Sequence, residues 1–157
     1  MADMPRTGAF TPALFYREPF AALDFLERAF GFERTMVITD EQGNLGHSQM
    51  SYGAAGATIM VGTEWSDDHK SPASVGRKCT QTVHTQLEED IDAHCERARA
   101  AGAEIVAEPS DQFYGDRTYR ARDPEGHLWT FSQPVRVVSR EDAEKASGLK
   151  IESASWS

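Results

Sequence analysis

The chain has 157 residues, of which 39% are hydrophobic and 10% aromatic, enough to bury the core of one domain or of two small halves that share a core. Its 25 acidic and 16 basic residues give a formal net charge of −9. This charge argues against nucleic acid as a partner, because phosphate binding needs a basic face. No segment approaches the ~20 apolar residues of a membrane span.

Two further observations bear on the compartment. The first residues contain no apolar run of the kind found in secretory signals. The two cysteines, Cys79 and Cys95, have neither a Cys-x-x-Cys spacing nor the pattern of a disulfide framework, and Cys95 is expected to be a small buried residue. We therefore predict a cytoplasmic protein with no membrane and no nucleic-acid partner.

The first half of the chain predicts the element order β-α-β-β-β. Residues 9–16 are expected to form a strand, and apolar residues at helical spacing over 20–30 predict a helix that Gly31 ends. Three further strands are predicted at 32–39, 45–52 and 57–62. Residues 64–78 show no sustained period and exceed the usual connection length, so we predict a loop that caps a pocket.

The second half repeats this order. A strand over 80–87 precedes a helix from 88 to 101, whose acidic start complements its dipole. A strand over 103–107, a turn at 108–110 and a hairpin over 113–132 follow; Asp123-Pro124-Glu125-Gly126 supplies the turn chemistry of the hairpin. On its return arm, Trp129 and Phe131 alternate with Thr130 and Ser132, which predicts two different faces.

The repeated order indicates an internal duplication. We predict a first module at 9–63, a linker loop at 64–78, a second module at 79–133 and a polar C-terminal tail at 134–157. The tail contains a short amphipathic segment and a few large apolar residues, so it is expected to dock on the body of the chain or on a partner subunit.

Paired β-α-β-β-β units that end in Asp-Pro-Glu-Gly-His-Leu-Trp-Thr-Phe, residues 123–131, resemble the vicinal oxygen chelate superfamily. This superfamily includes glyoxalases, extradiol dioxygenases, fosfomycin-inactivating enzymes and bleomycin resistance proteins. Residues 22–32 and 114–117 strengthen the resemblance, which covers roughly residues 9–133. It implies an α+β fold in which two tandem β-α-β-β-β modules form a curled mixed sheet with a cleft, commonly within a homodimer.

The metal enzymes of that superfamily hold a divalent ion with His, Glu or Gln from the first and last strands of each module. The matching positions of this chain carry other residue types: Thr11, Met60, one of Gln81, Thr82 and Val83, and Thr130. A catalytic divalent site needs about three imidazole or carboxylate ligands. We therefore predict a cleft with no metal and no other cofactor.

A cleft of this kind binds by burial and stacking, with a few polar groups that fix orientation. The resemblance places a mixed set of residues at its wall: Phe15, Gln49, Met60, Trp65, His84, Phe113, Tyr119 and Thr130. Trp65 is the strongest candidate, because it opens the long loop, where a large aromatic residue has no module core to fill. For Trp129 core packing is favoured, His94 is expected to be solvated, and Arg117 is expected to form an ion pair with Asp116 or Asp123.

Three functional hypotheses follow. The first is a metal-independent homodimer that binds a small molecule, similar to the drug-sequestering resistance proteins, since the chain has no recognisable nucleophile motif; its acidic surface would suit a cationic ligand. The second is a metal-dependent lyase or dioxygenase of the glyoxalase type, with His47, Gln49, His84 and Glu64 as the residues to suspect. The third is a structural or regulatory module whose cleft is filled by its own side chains, Met60 and Trp129.

Overall fold

The computed structural model describes residues 8–157, and its first half has the order strand, helix and three strands. The helix passes into a single π-helical turn at Leu26–Phe30, and Gly31 ends it in the left-handed conformation with φ of 75°. The elements of this half are β1 (Ala13–Tyr16), α1 (Pro19–Phe25), β2 (Glu33–Thr39), β3 (Leu45–Tyr52) and β4 (Ala57–Thr63).

The second half repeats the order after a long loop that contains a short 3-10 turn at Pro72–Ser74. Its helix begins at Asp90, whose carboxylate accepts a hydrogen bond from the backbone N–H of Ala93 at 2.8 Å. The elements are β5 (Val83–Gln86), α2 (Ile91–Ala100), β6 (Glu104–Asp111), β7 (Asp116–Arg122), β8 (Leu128–Pro134) and, in the tail, α3 (Arg140–Ser147).

The strands form two four-stranded mixed sheets of the same topology. Sheet 1 has the order β1-β4-β3-β2, and sheet 2 has the order β5-β8-β7-β6. In each sheet the first strand pairs in parallel with the last, and the other pairs are antiparallel. The predicted α+β fold with a tandem β-α-β-β-β arrangement is confirmed.

The helices lie between the two sheets and give the chain one shared core. Helix α1 packs on sheet 1, α2 packs on sheet 2, and α2 also packs against the π-helical turn. Phe30 of that turn contacts Trp129 and Phe131 of β8, with ring centroids 5.3 Å and 4.8 Å apart. The second face of each sheet lies outside this core, and we call it the open face.

A buried carboxylate joins the two halves. Asp123, at the turn between β7 and β8, accepts hydrogen bonds from Tyr16 Oη at 2.7 Å and Trp129 Nε1 at 3.2 Å, and from three backbone N–H groups of the turn. Burial raises the pKa of Asp123, and the hydrogen bonds oppose that shift because they stabilise the charged form. The turn that organises the second half is thereby tied to β1 of the first.

Three predicted boundaries are wrong. The strand predicted over 9–16 is limited to Ala13–Tyr16. Residues 108–110 are not a turn but part of β6, where the pairing register with β7 shifts between Ala107 and Ser110. A register irregularity of this kind accommodates Pro109, which cannot donate to the ladder. The strand predicted over 80–87 is limited to Val83–Gln86.

The tail folds on itself. Ser139 caps α3 by accepting a hydrogen bond from Asp142 N, and Trp156 Nε1 donates to the carbonyl of Val138 at 2.9 Å. Gly115 accepts hydrogen bonds from the backbone N–H groups of Val135 and Arg136, which attaches the start of the tail to sheet 2. In residues 8–157 no helix has the length and apolar character needed to cross a membrane.

Candidate functional site

The open face of sheet 1 carries a row of apolar side chains around one amide. Gln49 on β3 lies opposite Met60 on β4 and Met36 on β2, and Met60 in turn lies opposite Ala13 on β1. Cross-strand neighbours share a face. The side chains of Leu14 and Ile59, at alternate positions, point instead into the core.

Next to this row lies an aromatic cluster that consists of Phe15, Trp65 and His69. The His69 ring stacks on Trp65 with centroids 4.0 Å apart and meets the edge of Phe15 at 4.7 Å. His69 Nδ1 lies 2.6 Å from Ser66 Oγ, which fixes the ring. Trp65 is 67% exposed. The cluster therefore presents a large, oriented aromatic surface that the core of this chain leaves uncovered.

The loop that carries Trp65 and His69 is held against the body. Ser71 N donates to Glu64 Oε1 at 2.7 Å, and Ser71 Oγ donates to Glu125 Oε1 at 2.6 Å. Between the loop and β1 lies a cavity of about 440 Å³, whose wall includes Phe15 and His127. Its size is in the range of small-molecule sites, and residues of the loop form part of its wall.

The open face of sheet 2 is polar. Thr130 on β8 lies between His84 on β5 and Arg120 on β7. In the next row, Ser132 Oγ lies 2.8 Å from His84 Nε2, and Thr118 Oγ1 accepts a hydrogen bond from Gln112. The two sheets have the same strand topology, but their open faces differ in polarity. Hydroxyl, imidazole and guanidinium groups on sheet 2 replace the thioether and aromatic groups of sheet 1.

Three arginines of β7 have separate roles. Arg117 forms ion pairs with Asp92 of α2 and Asp111 of β6, both at 2.9 Å, so the prediction of an ion pair holds but its predicted partners are wrong. Arg122 donates to the backbone carbonyl of Gly126 at 3.0 Å. Arg120 is exposed on the open face.

The strand register decides which residues stand where the superfamily's metal ligands are expected. Ala13 on β1 faces Met60 on β4, and His84 on β5 faces Thr130 on β8. Thr11 lies before β1 begins, so the position assigned to it from the sequence is corrected to Ala13. A methyl group, a thioether, an imidazole and a hydroxyl do not fit a divalent ion that needs about three strong ligands.

The residues suspected under the enzyme hypothesis do not come together at one site in the structure. His47 Nε2 and Gln49 Nε2 are 3.2 Å apart on sheet 1, whereas His84 is on sheet 2 and Glu64 binds the backbone of its own loop. Within residues 8–157 no three His, Cys, Asp or Glu side chains form a group that would hold a metal ion.

Tyr119 and His94 form a buried pair, which corrects two expectations. His94 is 1% exposed, not solvated, and Tyr119, also 1% exposed, lies in the core rather than at the cleft wall. His94 Nε2 donates to the carbonyl of Phe30 at 3.0 Å, so Nδ1 accepts from Tyr119 Oη at 2.6 Å. Burial lowers the pKa of His94 and raises that of Tyr119, which keeps both side chains neutral.

The remaining candidates divide between core and periphery. Trp129 is fully buried, as favoured from the sequence, and therefore fills the core rather than the open face. Phe113 lies in the turn between β6 and β7, against the ring of Tyr114 at 5.2 Å. Cys95 is buried, as predicted, and burial raises its pKa to about 11, so its thiol stays protonated.

Sequence reasoning named Phe15, Gln49, Met60 and Trp65, which the structure brings together on or beside the open face of sheet 1. It missed His69, whose only signal is its position four residues after Trp65 in the same loop. It also missed Arg120, although the alternation of β7 places this residue on the face opposite Tyr119.

Comparisons with known proteins give a consistent result. The model of the Glyoxalase/Bleomycin resistance protein/Dioxygenase superfamily matches residues 9–131. An uncharacterized protein of Mycobacterium bovis, Mb0911c, is 31% identical over 142 residues, which cover 88% of this chain and 91% of that protein.

Two solved structures have a similar fold. The crystal structure of TioX from Micromonospora sp. ML1 is 33% identical, with a TM-score of 0.63 over 82% of this chain and 100% of that one. A member of the same superfamily from Sphaerobacter thermophilus is 21% identical, with a TM-score of 0.59 over 80% of this chain and 97% of that one.

Proposed function

Because the chain belongs to the glyoxalase/bleomycin resistance protein/dioxygenase superfamily, we propose that it is a homodimer that binds a small aromatic molecule without a metal. The observation that carries the proposal is the aromatic cluster, in which Trp65 is 67% exposed and oriented by His69. A contiguous, exposed aromatic patch such as that of Phe15, Trp65 and His69 is typical of a surface that contacts a ligand or another subunit.

The dimer is proposed because each open face lacks a second wall. The two helices occupy the space between the sheets, so the two open faces of one chain cannot form a cleft with each other. In a two-fold dimer, sheet 1 of one copy would face sheet 2 of the other, and the same contact would occur twice. This arrangement gives two equivalent clefts, each with one apolar and one polar wall.

The ligand's apolar part would lie on sheet 1. Trp65 offers a ring face, Met60 a polarizable thioether that adapts to irregular shapes, and Gln49 a single amide that orients the ligand. Aromatic pairs add about 0.5–1.5 kcal/mol beyond the burial of area. Binding of this kind needs burial and stacking but no covalent bond to the protein.

The neutral dye N-phenyl-1-naphthylamine, whose fluorescence rises in apolar sites, tests the proposal. We expect one dye per chain, and Trp65→Ala should weaken its affinity about tenfold, since it removes both the stack and its apolar area. Trp156→Phe, in the tail, is the matched control and should leave the affinity unchanged.

Two results would contradict the proposal. If sedimentation velocity at micromolar protein concentration shows a monomer, the proposed dimer is wrong. If wild type and Trp65→Ala bind the dye with equal affinity, the proposed site is wrong. Elemental analysis of protein purified without chelators addresses the enzyme alternative: one tightly bound divalent ion per chain would favour the metal-dependent hypothesis over this one.

A further inference from the structure

We propose that the ligand carries an oxyanion, such as a carboxylate, sulfonate or phosphate, and that Arg120 recognises it. This inference rests on the proposed function, because the cleft that holds the ligand is the one formed by the two open faces. It adds the chemical class of the ligand and the residue that selects it.

The position of Arg120 carries the inference. It lies on β7, an interior strand of sheet 2, with Thr130 opposite on one side and Ala107 on the other. An arginine at the edge of a sheet reaches solvent and nearby carboxylates easily, whereas one in the middle of an open face projects into whatever covers that face. In the proposed dimer, that space is the cleft.

Arg120 also has no carboxylate to neutralise it, unlike five other arginines of this chain. Arg34, Arg77, Arg97, Arg99 and Arg117 each form an ion pair with Asp or Glu. Around Arg120, by contrast, residues 8–157 place no Asp or Glu oxygen within 4.0 Å of its guanidinium. Its five donors are free for a planar oxyanion, which guanidinium binds in bidentate fashion.

The groups around Arg120 suit an anion as well. The open-face positions of β5, β7 and β8 carry one carboxylate, Asp116 at the start of β7, and otherwise hydroxyl, amide, imidazole, guanidinium and aliphatic side chains: His84, Gln86, Thr118, Arg120, Arg122, Leu128, Thr130, Ser132 and Pro134. These three strands place two guanidinium groups against the one carboxylate of Asp116, and Glu104 on β6, opposite Arg122, is already paired with Arg77, in a protein whose formal net charge is −9. The overall charge suggests a cationic ligand, but the unpaired guanidinium of Arg120 on this wall favours an anionic group.

The two walls together define the ligand class. The aromatic cluster of one copy takes a planar apolar body, and Arg120 of the other copy takes an anionic group at its end. An aromatic carboxylic or sulfonic acid has both parts. A neutral aromatic compound of the same shape would leave the guanidinium without a partner in a partly desolvated cleft, which costs affinity.

A pair of dyes that differ in one group tests the proposal. 8-Anilinonaphthalene-1-sulfonate has the aromatic body of N-phenyl-1-naphthylamine and adds a sulfonate. We expect wild-type dimer to bind the sulfonate dye at least about tenfold more tightly than the neutral one, a difference typical of a charged hydrogen bond.

Substitutions identify the residue responsible. Arg120→Gln should abolish the preference for the sulfonate without weakening the affinity for the neutral dye. Arg120→Lys should retain only part of the preference, because an ammonium cannot bind in bidentate fashion. Arg140→Gln, an exposed arginine of the tail, is the matched control and should keep the full preference.

The outcomes separate this inference from the proposed function. If both dyes bind and Trp65→Ala weakens the binding of both, the proposed site is supported. If Arg120→Gln then leaves the ratio of the two dye affinities unchanged, the role of Arg120 is overturned. If Trp65→Ala changes neither affinity, the proposed function itself fails. If wild-type protein binds the neutral dye more tightly than the sulfonate dye, the proposal that the ligand carries an oxyanion is also overturned.

Discussion

Phe131 and Thr130 are neighbours on β8 with opposite surroundings. Phe131 is fully buried and contacts Phe30 of the first half, whereas Thr130 lies on the open face between His84 and Arg120. In β1, β3, β4, β5, β7 and β8, one side contributes to a single core and the other side faces outward. Core residues and residues of the proposed cleft therefore alternate along the same strand, and substitutions on the two sides should have separable effects.

The largest expected effect is on the buried side. Phe131→Ala should lower the free energy of unfolding by about 3–5 kcal/mol, because it opens a cavity where the two halves meet. Thr130→Ala, one residue away, should change it by less than about 0.5 kcal/mol. Urea denaturation of both variants measures the difference. If they are equally stable, the core is not shared between the halves in the way described.

A smaller effect is expected at the joint around Asp123. Tyr16→Phe removes the hydroxyl donor at 2.7 Å from a buried carboxylate and should cost about 1.5–3 kcal/mol of unfolding free energy. Tyr114→Phe is the control: Tyr114 is 39% exposed, and its hydroxyl makes no hydrogen bond to any residue in 8–157. A cost below about 0.5 kcal/mol for Tyr16→Phe would show that Asp123 does not need this donor.

The smallest effect is the pH dependence that His94 introduces. Burial lowers its pKa below the ordinary value of 6.5, so the unfolded chain takes up a proton at this residue before the folded chain does. The contribution to stability is complete above pH 6.5 and declines as the pH falls below that value, by up to about 1.4 kcal/mol per pH unit.

The check is the unfolding free energy at pH 7.5 and pH 5.5. His94→Gln should lose part of the decrease seen in wild type, whereas His84→Gln, which changes an exposed histidine of the open face, should retain it. If His94→Gln and wild type have the same slope, the neutral tautomer between Tyr119 and Phe30 is not what the fold requires.

Local patterns predicted most of the fold. The alternation of Trp129, Thr130 and Phe131 correctly divided β8 into two faces, because the side-chain period of a strand is fixed by its backbone. The stop of the first helix at Gly31 was equally predictable, since the left-handed conformation there favours glycine. Trp65 could be identified as a residue outside the core because it lies in no helical or strand pattern of apolar residues.

Contacts between distant segments were not predictable. His94 was expected in solvent, but α2 packs against both sheet 2 and the π-helical turn, so its buried surface is wider than the usual single stripe. Arg117 was assigned partners close in sequence, whereas Asp92, 25 residues away, lies closer in space. Helical periodicity reports how many faces are apolar, not which partner each face meets.

The sequence by itself determined the order of the elements, their repetition and the alternation of faces, because these depend on the short-range geometry of the backbone. Only the tertiary structure decided that the aromatic cluster joins β1 to the long loop, that the metal-ligand positions hold Ala13, Met60, His84 and Thr130, and that Arg120 lies unpaired on an open face. Each of these depends on strand register or on loop closure, which bring together residues far apart in the chain and leave no local signal.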